Sequence, residues 1–115
     1  MEKISVSGGG RVFEAALADS FFSKFWGLSM KTSGKMLFVF KLQSKPTIDM
    51  MLVQKPLHLY FLDEKKNIVD VKFAEPWTLN PWTWRLYRPE KDAKFLLESF
   101  EDLGLEEGDE LEFDL

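Results

Sequence analysis

Cysteine is absent from this 115-residue chain, so disulfides and thiolate metal sites are excluded outright. Histidine occurs once, at His58, and a zinc site would need several carboxylates gathered around it. Neither a metal nor a cofactor is therefore expected. No apolar run approaches the ~20 residues that span a bilayer, and Met1-Glu2-Lys3-Ile4-Ser5 lacks the basic segment and apolar core of a signal peptide. These absences predict a cytoplasmic protein with no membrane partner. Lysine and arginine are missing from residues 95–115, which carry nine acids, whereas all fifteen bases lie in residues 1–94 with the other ten acids. An isoelectric point near 5.0 argues against nucleic acid as a partner. The acidic tail, with Glu98 at its start, reads as a solvated rim, or else as a surface for a basic partner. No nucleophile elbow, phosphate loop or dinucleotide fingerprint is present.

What is present is apolar and aromatic, with 45% hydrophobic residues, 11 Phe and 4 Trp, enough for one domain over residues 1–115. Lys35-Met36-Leu37-Phe38-Val39-Phe40 and Leu57-His58-Leu59-Tyr60-Phe61-Leu62 are apolar on both faces, as strands in the middle of a sheet are. Ile68 to Phe73 alternates, with Val69, Val71 and Phe73 on one side and Asp70 and Lys72 on the other, so residues 63–67 form a hairpin loop. Gly8-Gly9-Gly10 reads as a turn between two further strands rather than a phosphate cradle, because a strand follows it. Strands are also expected at 47–53, 93–98 and 110–113. Short helices are expected at about 20–27, where Phe22, Phe25 and Trp26 follow an Asp19-Ser20 cap, and at 99–104, where Ser99 and Asp102 have capping-box spacing before Gly104. The fold class predicted is mainly β: a small barrel or rolled sheet of seven or eight strands with two short helices.

Several segments together resemble a known family. They are Ser20 to Leu28, Gly34 to Phe40, Met50-Met51, Pro56 to Asp63, Asn67 to Val71, Pro76-Trp77, Ala93 to Glu98 and Leu103 to Asp109. In this order they resemble the domain-of-unknown-function 192 family, in its archaeal branch. The resemblance implies a compact, mostly β domain and no established activity. The chain departs from the family pattern at Ser23, Lys24, Trp26 and Ser29, around Ile48 to Val53, and at His58, where the family holds Asp. If that Asp serves a shared activity, His58 alters it.

Two stretches carry the candidate sites. Glu75 to Arg85 repeats Pro-Trp-Thr at 76–78 and 81–83 and gathers Trp77, Trp82, Trp84 and Arg85, residue types enriched at interface hot spots. It reads as a recognition loop for a small molecule or a protein, with at least one Trp exposed, or as a lid closing one end of a barrel. His58 reads as a buried imidazole satisfied by a carbonyl or by Asp49 or Asp70, or as a ligand-contacting or acid/base group in a barrel-mouth pocket. The function expected is a non-enzymatic binding or interaction module using both regions. The alternatives are an enzyme with His58 and Asp49 or Asp70 as acid/base pair, and a structural accessory meeting its partner through the acidic tail.

Overall fold

The computed structural model describes residues 2–18 and 34–115. Six strands form one mixed sheet: β1 (Lys3–Gly8), β2 (Arg11–Ala18), β3 (Lys35–Ser44), β4 (Leu57–Leu62), β5 (Ile68–Ala74) and β6 (Ala93–Ser99). Their order across the sheet is β1-β2-β3-β6-β4-β5. All neighbours are antiparallel except β2 and β3, which run parallel. The strands with continuous apolar runs, β3, β6 and β4, occupy the interior positions, where both faces are covered.

Local chemistry fixes the two hairpins. Gly9 and Gly10 turn β1 into β2 with φ of +59° and +77°, the left-handed pair that a two-residue hairpin needs. Beside them, a side chain at Gly8 would collide with the Leu111 side chain and press on the Glu110 carbonyl at 3.1 Å, so glycine lets the C-terminal segment lie close here. Between β4 and β5, Asp63 accepts from the amides of Lys65 (2.9 Å) and Asn67 (3.0 Å) and holds the loop. Val69 is left over between the pairs Phe61–Asp70 and Leu62–Ile68, a bulge that carries Ile68 and Asp70 to opposite faces.

Each face of the sheet has its own core. On the first, Val6, Leu17, Leu37, Leu97, Tyr60 and Leu62 are covered by Leu103, Leu105, Leu111 and Phe113. On the second, Met36, Phe38, Leu57, Leu59, Phe61 and Leu96 are covered by Met50 and Val53, and by Trp77 and Tyr87 of the long β5–β6 connection. The acidic tail is thus no free rim: its Leu and Phe residues cover a core face and leave its other carboxylates outward. Glu98 belongs to β6 and is buried.

The sheet does not close into a barrel. Residues 110–113, expected as a strand, straddle the gap between the edges at one end only. Glu112 exchanges hydrogen bonds with Ser7 of β1 (2.7 and 2.9 Å), while Leu111 donates to the Lys66 carbonyl (3.0 Å) beside β5. Among the described residues its pairing amounts to isolated bridges, Ser7–Glu112 and Asn67–Glu110, rather than a ladder along either edge. The segment still covers edge groups that would otherwise template aggregation.

The expected strand at 47–53 is also a loop. Ile48 makes one bridge with Tyr87, after which Asp49 accepts from the Met51 amide (3.1 Å) and Val53 donates back to Met50 (3.3 Å). Among the described residues there is no α-helix, only a 3₁₀ turn at Pro81–Thr83. The helix expected at 20–27 lies outside the described residues. That expected at 99–104 is absent because side chains capture its amides. Ser99 Oγ accepts from Glu101 N (3.1 Å), Asp102 Oδ1 from Gly104 N (2.9 Å) and the Tyr60 hydroxyl from Leu103 N (3.0 Å).

Tyr60 thereby ties β4 to the tail. Its phenol is pushed up in pKa, first by burial and further by the Asp102 carboxylate, and so keeps its proton. Tyr60→Phe should lower stability by about 1–3 kcal/mol, because the buried Leu103 amide loses its acceptor. Urea denaturation measures this, and an unchanged midpoint would contradict the assignment.

Candidate functional site

The β5–β6 connection folds back on itself because its two Pro-Trp-Thr triplets bind each other. Pro81 opens the 3₁₀ turn, and the Asn80 side chain caps it by accepting from Trp82 N (3.1 Å). Thr83 Oγ1 accepts from Thr78 N (2.8 Å) and donates to the Asn80 carbonyl (2.7 Å). Its only proton is so committed, and in the 3.1 Å contact between the two threonine hydroxyls Thr78 must be the donor. Trp84 Nε1 donates to the Thr78 carbonyl and Trp77 Nε1 to the Arg85 carbonyl, both at 2.8 Å. The two indoles stack with centroids 6.1 Å apart and an interplanar angle of 28°.

This rigid loop forms an apolar groove with the neighbouring 48–53 loop. Reciprocal bonds between Ile48 and Tyr87 (2.8 and 2.9 Å) and a longer one from Trp77 N to the Met50 carbonyl (3.4 Å) hold the loops together. The groove has a volume of about 490 Å³ and is lined by Met51, Leu52, Trp77, Thr78, Leu79 and Trp84. Leu52 is displayed there with φ of +63°, a left-handed conformation that a branched side chain adopts at a cost of order 1 kcal/mol. Leu79 is 99% exposed and Trp84 53%. Trp82, 85% exposed, stands outside the lining, as does the exposed Arg85. Both lining indoles already have acceptors for their N–H groups, so the groove offers ring faces and aliphatic surface.

A second feature lies beneath the same face. On β6, alternation puts Leu96 and Glu98 on the second core's side, and Glu98 pairs in register with Met36 of β3 and Leu59 of β4. Both neighbours are fully buried, and Glu98 itself is 6% exposed. Burial, and then the charge of Asp49, pushes its carboxyl up to about 8. Among the described residues no metal-capable group of three or more His, Cys, Asp or Glu exists.

The domain of unknown function 192 model, described as Uncharacterized ACR, matches residues 3–113. The chain belongs to the DUF192 family. It is 32% identical to a UPF0127 protein of Pyrococcus abyssi, over 97% of this chain and 93% of that protein. A UPF0127 protein of Thermococcus sibiricus is 31% identical over 86% of this chain, which spans 65% of that relative's length. Both are archaeal, as the sequence resemblance implied. The fold is shared with solved structures at 20% identity. One is a protein of unknown function from Novosphingobium aromaticivorans, with a TM-score of 0.77 over 96% of this chain and 83% of that one. The other is a candidate transcription regulator from Sinorhizobium meliloti, with a TM-score of 0.79 over 97% and 94%.

Within this DUF192 fold the residues singled out from sequence fall into separate places. Trp77 and Trp84 meet in the groove, with Trp82 and Arg85 beside it. His58 points to the other face of the sheet, half-buried, with its ring 6.4 Å from Tyr60 and 5.0 Å from Phe73. It makes no hydrogen bond among the described residues, so the expected carbonyl or carboxylate partner is not there. Asp49 and Asp70 are both engaged elsewhere. Asp70 accepts from Glu90 N (2.8 Å) and from its neighbour Val71 N (2.9 Å), and pairs with Lys72 at 3.5 Å. The residues that sequence reasoning missed are Met51, Leu52, Leu79 and Glu98. The signal for Glu98 was there: one acid closing the apolar run Phe95-Leu96-Leu97.

No helix among the described residues is long and apolar enough to cross a membrane.

Proposed function

We propose that this DUF192 chain is a non-enzymatic interaction module whose Trp loop receives an apolar side chain from a partner protein. The observation that carries the reading is the groove of Met51, Leu52, Trp77, Leu79 and Trp84, whose polar atoms are already bonded within the loop. A small-molecule site needs a few free polar groups to orient its ligand; this one presents apolar area and aromatic faces, the hallmark of an interface hot spot. Because the loop is braced by its own hydrogen bonds, binding would lose little conformational entropy. His58 stands apart from this groove, and the acid/base alternative finds no support in a His58 with neither Asp49 nor Asp70 bonded to it.

The test is selection of binders from a random 12-residue peptide display library against the intact chain. Selected peptides should carry Leu, Met or aromatic anchors and lose about thirtyfold in affinity on Leu79→Ser, equivalent to about 2 kcal/mol. Leu79 is so exposed that this change leaves the fold alone. His58→Ala should leave binding unchanged. Peptides insensitive to both Leu79→Ser and Trp84→Ala would overturn the proposal.

A further inference from the structure

The rim of the Trp groove differs in chemistry from its interior. Residues 50–56 and 76–89, the two stretches that build the groove, hold Lys55, Arg85 and Arg88 and none of the nineteen acids, in a chain whose net charge is −4. None of these three cations has an ion-pair partner among the described residues. The acids next along the chain are Asp49, Asp63, Glu75 and Glu90. Asp49 accepts from the Met51 amide at 3.1 Å, Asp63 from the amides of its own hairpin loop, and Glu90 pairs with Lys72 at 3.3 Å, which leaves the Glu75 carboxylate uncommitted. Arg85 stands at the groove itself. Its carbonyl accepts the Trp77 indole N–H at 2.8 Å and its amide donates to the Thr83 carbonyl at 2.9 Å, so its backbone is fixed while its exposed guanidinium is free. The other polar groups of residues 76–89 sort in the same sense. The side-chain oxygens of Thr78, Asn80, Thr83 and Tyr87 all have partners. The side-chain groups with none among the described residues are donors: Nε1 of the exposed Trp82, the Asn80 amide nitrogen and the two guanidiniums.

We propose, resting on the reading of the groove as a protein interface, that its partner is an acidic segment with Asp or Glu side chains flanking the apolar residue that enters the groove. The interior offers apolar area and no free indole donor; the rim offers donors and positive charge. An anchor and a carboxylate side by side match both. A guanidinium meets a carboxylate with two parallel N–H···O bonds and is less costly to strip of water than an ammonium. Charge at a rim also steers encounter and excludes wrong partners, more than it adds affinity. A second copy of this chain fits poorly, because a two-fold contact would set Arg85 and Arg88 against their own counterparts. An anionic membrane would answer the charges, but it has no use for a groove braced by its own hydrogen bonds.

The probes are the display-selected 12-residue peptides, synthesised, labelled with fluorescein and titrated by anisotropy against the intact chain. Peptides whose binding depends on Leu79 should be enriched in Asp and Glu within about three residues of the anchor. Replacing those acids by Asn and Gln should weaken binding about tenfold. Arg85→Glu should cost the acidic peptides about tenfold and Arg85→Lys about threefold, while the Asn/Gln versions should not respond. Thermal unfolding should be unchanged, because the Arg85 side chain is exposed and bonds nothing among the described residues. Raising sodium chloride from about 50 to about 500 mM should weaken the acidic peptides, chiefly through their association rate. Peptides that need Leu79 yet show no acidic enrichment and bind the Arg85→Glu variant as tightly overturn this inference and leave the groove reading standing. Peptides that respond to Arg85→Glu and not to Leu79→Ser overturn both. Binding to phosphatidylcholine–phosphatidylserine vesicles that Arg85→Glu abolishes, with no acidic peptide selected, assigns the face to an anionic membrane and overturns the proposal.

Discussion

Glu98→Gln should stabilise this protein at pH 8 by about 4 kcal/mol and change it little at pH 4.5. In the unfolded chain Glu98 has its ordinary value near 4.5, whereas the folded carboxyl holds its proton up to about 8. Between those values the native state binds a proton that the unfolded state has released. Unfolding free energy therefore falls as pH rises through that window, by up to about 1.4 kcal/mol per unit, and levels off on either side. The sign is opposite to that of a salt-bridged carboxylate, which loses stability as pH falls. Glutamine mimics the neutral acid at every pH, so the variant lacks this slope. Other groups titrate equally in both proteins, and the difference between the two stability curves isolates Glu98. Urea midpoints at pH 5, 6.5 and 8 read it directly; parallel curves would sink the assignment of Glu98 as a buried acid.

How much of this was legible in the sequence depended on how local the deciding contact was. The β4–β5 hairpin follows from Asp63 and its loop, although the bulge at Val69 leaves Asp70 buried and Val71 and Phe73 exposed, the reverse of what alternation suggested, and the β1–β2 turn follows from two glycines at positive φ. The two-faced runs of β3 and β4 also read correctly as interior strands. Where a distant partner decided, local pattern misled. Ser99 and Asp102 have capping-box spacing, but Tyr60, 43 positions before Leu103, takes the amide of Leu103. Residues 110–112 alternate like a strand but form isolated bridges, to Asn67 and to Ser7, and no ladder. Asp49 was placed on a strand next to His58; it sits instead in a loop, where it accepts from the Met51 amide. An open sheet and a barrel share one alternation of faces, so periodicity could not separate them. The Trp loop was legible as a cluster but not as a groove, because Met51 and Leu52 come from another loop.

Asp70, which the sequence offered as a partner for His58, should prove to be a structural residue: Asp70→Ala should destabilise the fold by about 2–3 kcal/mol and leave peptide binding at the Trp groove unchanged. Its side chain is nearly buried on the edge strand β5 and serves three groups. Oδ2 accepts from the amide of Glu90 at 2.8 Å, and Oδ1 accepts from Val71 N at 2.9 Å. The same carboxylate stands 3.5 Å from the Lys72 ammonium, which Glu90 also meets at 3.3 Å. The Glu90 bond most of all, and the charge of Asp70 after it, raise the Lys72 pKa and hold it charged. The Lys72–Glu90 contact is exposed and adds little stability by itself. The amide bonds matter more, because Glu90 N belongs to the segment that returns the chain to β6, and an amide stripped of its acceptor costs about 1–3 kcal/mol. Removing Asp70 therefore frees the end of the β5–β6 connection. Thermal unfolding should show a fall on the order of 10 °C. The braced Pro-Trp-Thr core of the loop uses none of these bonds, so the groove should keep its affinity. A variant with unaltered melting but abolished binding would place Asp70 in a functional site.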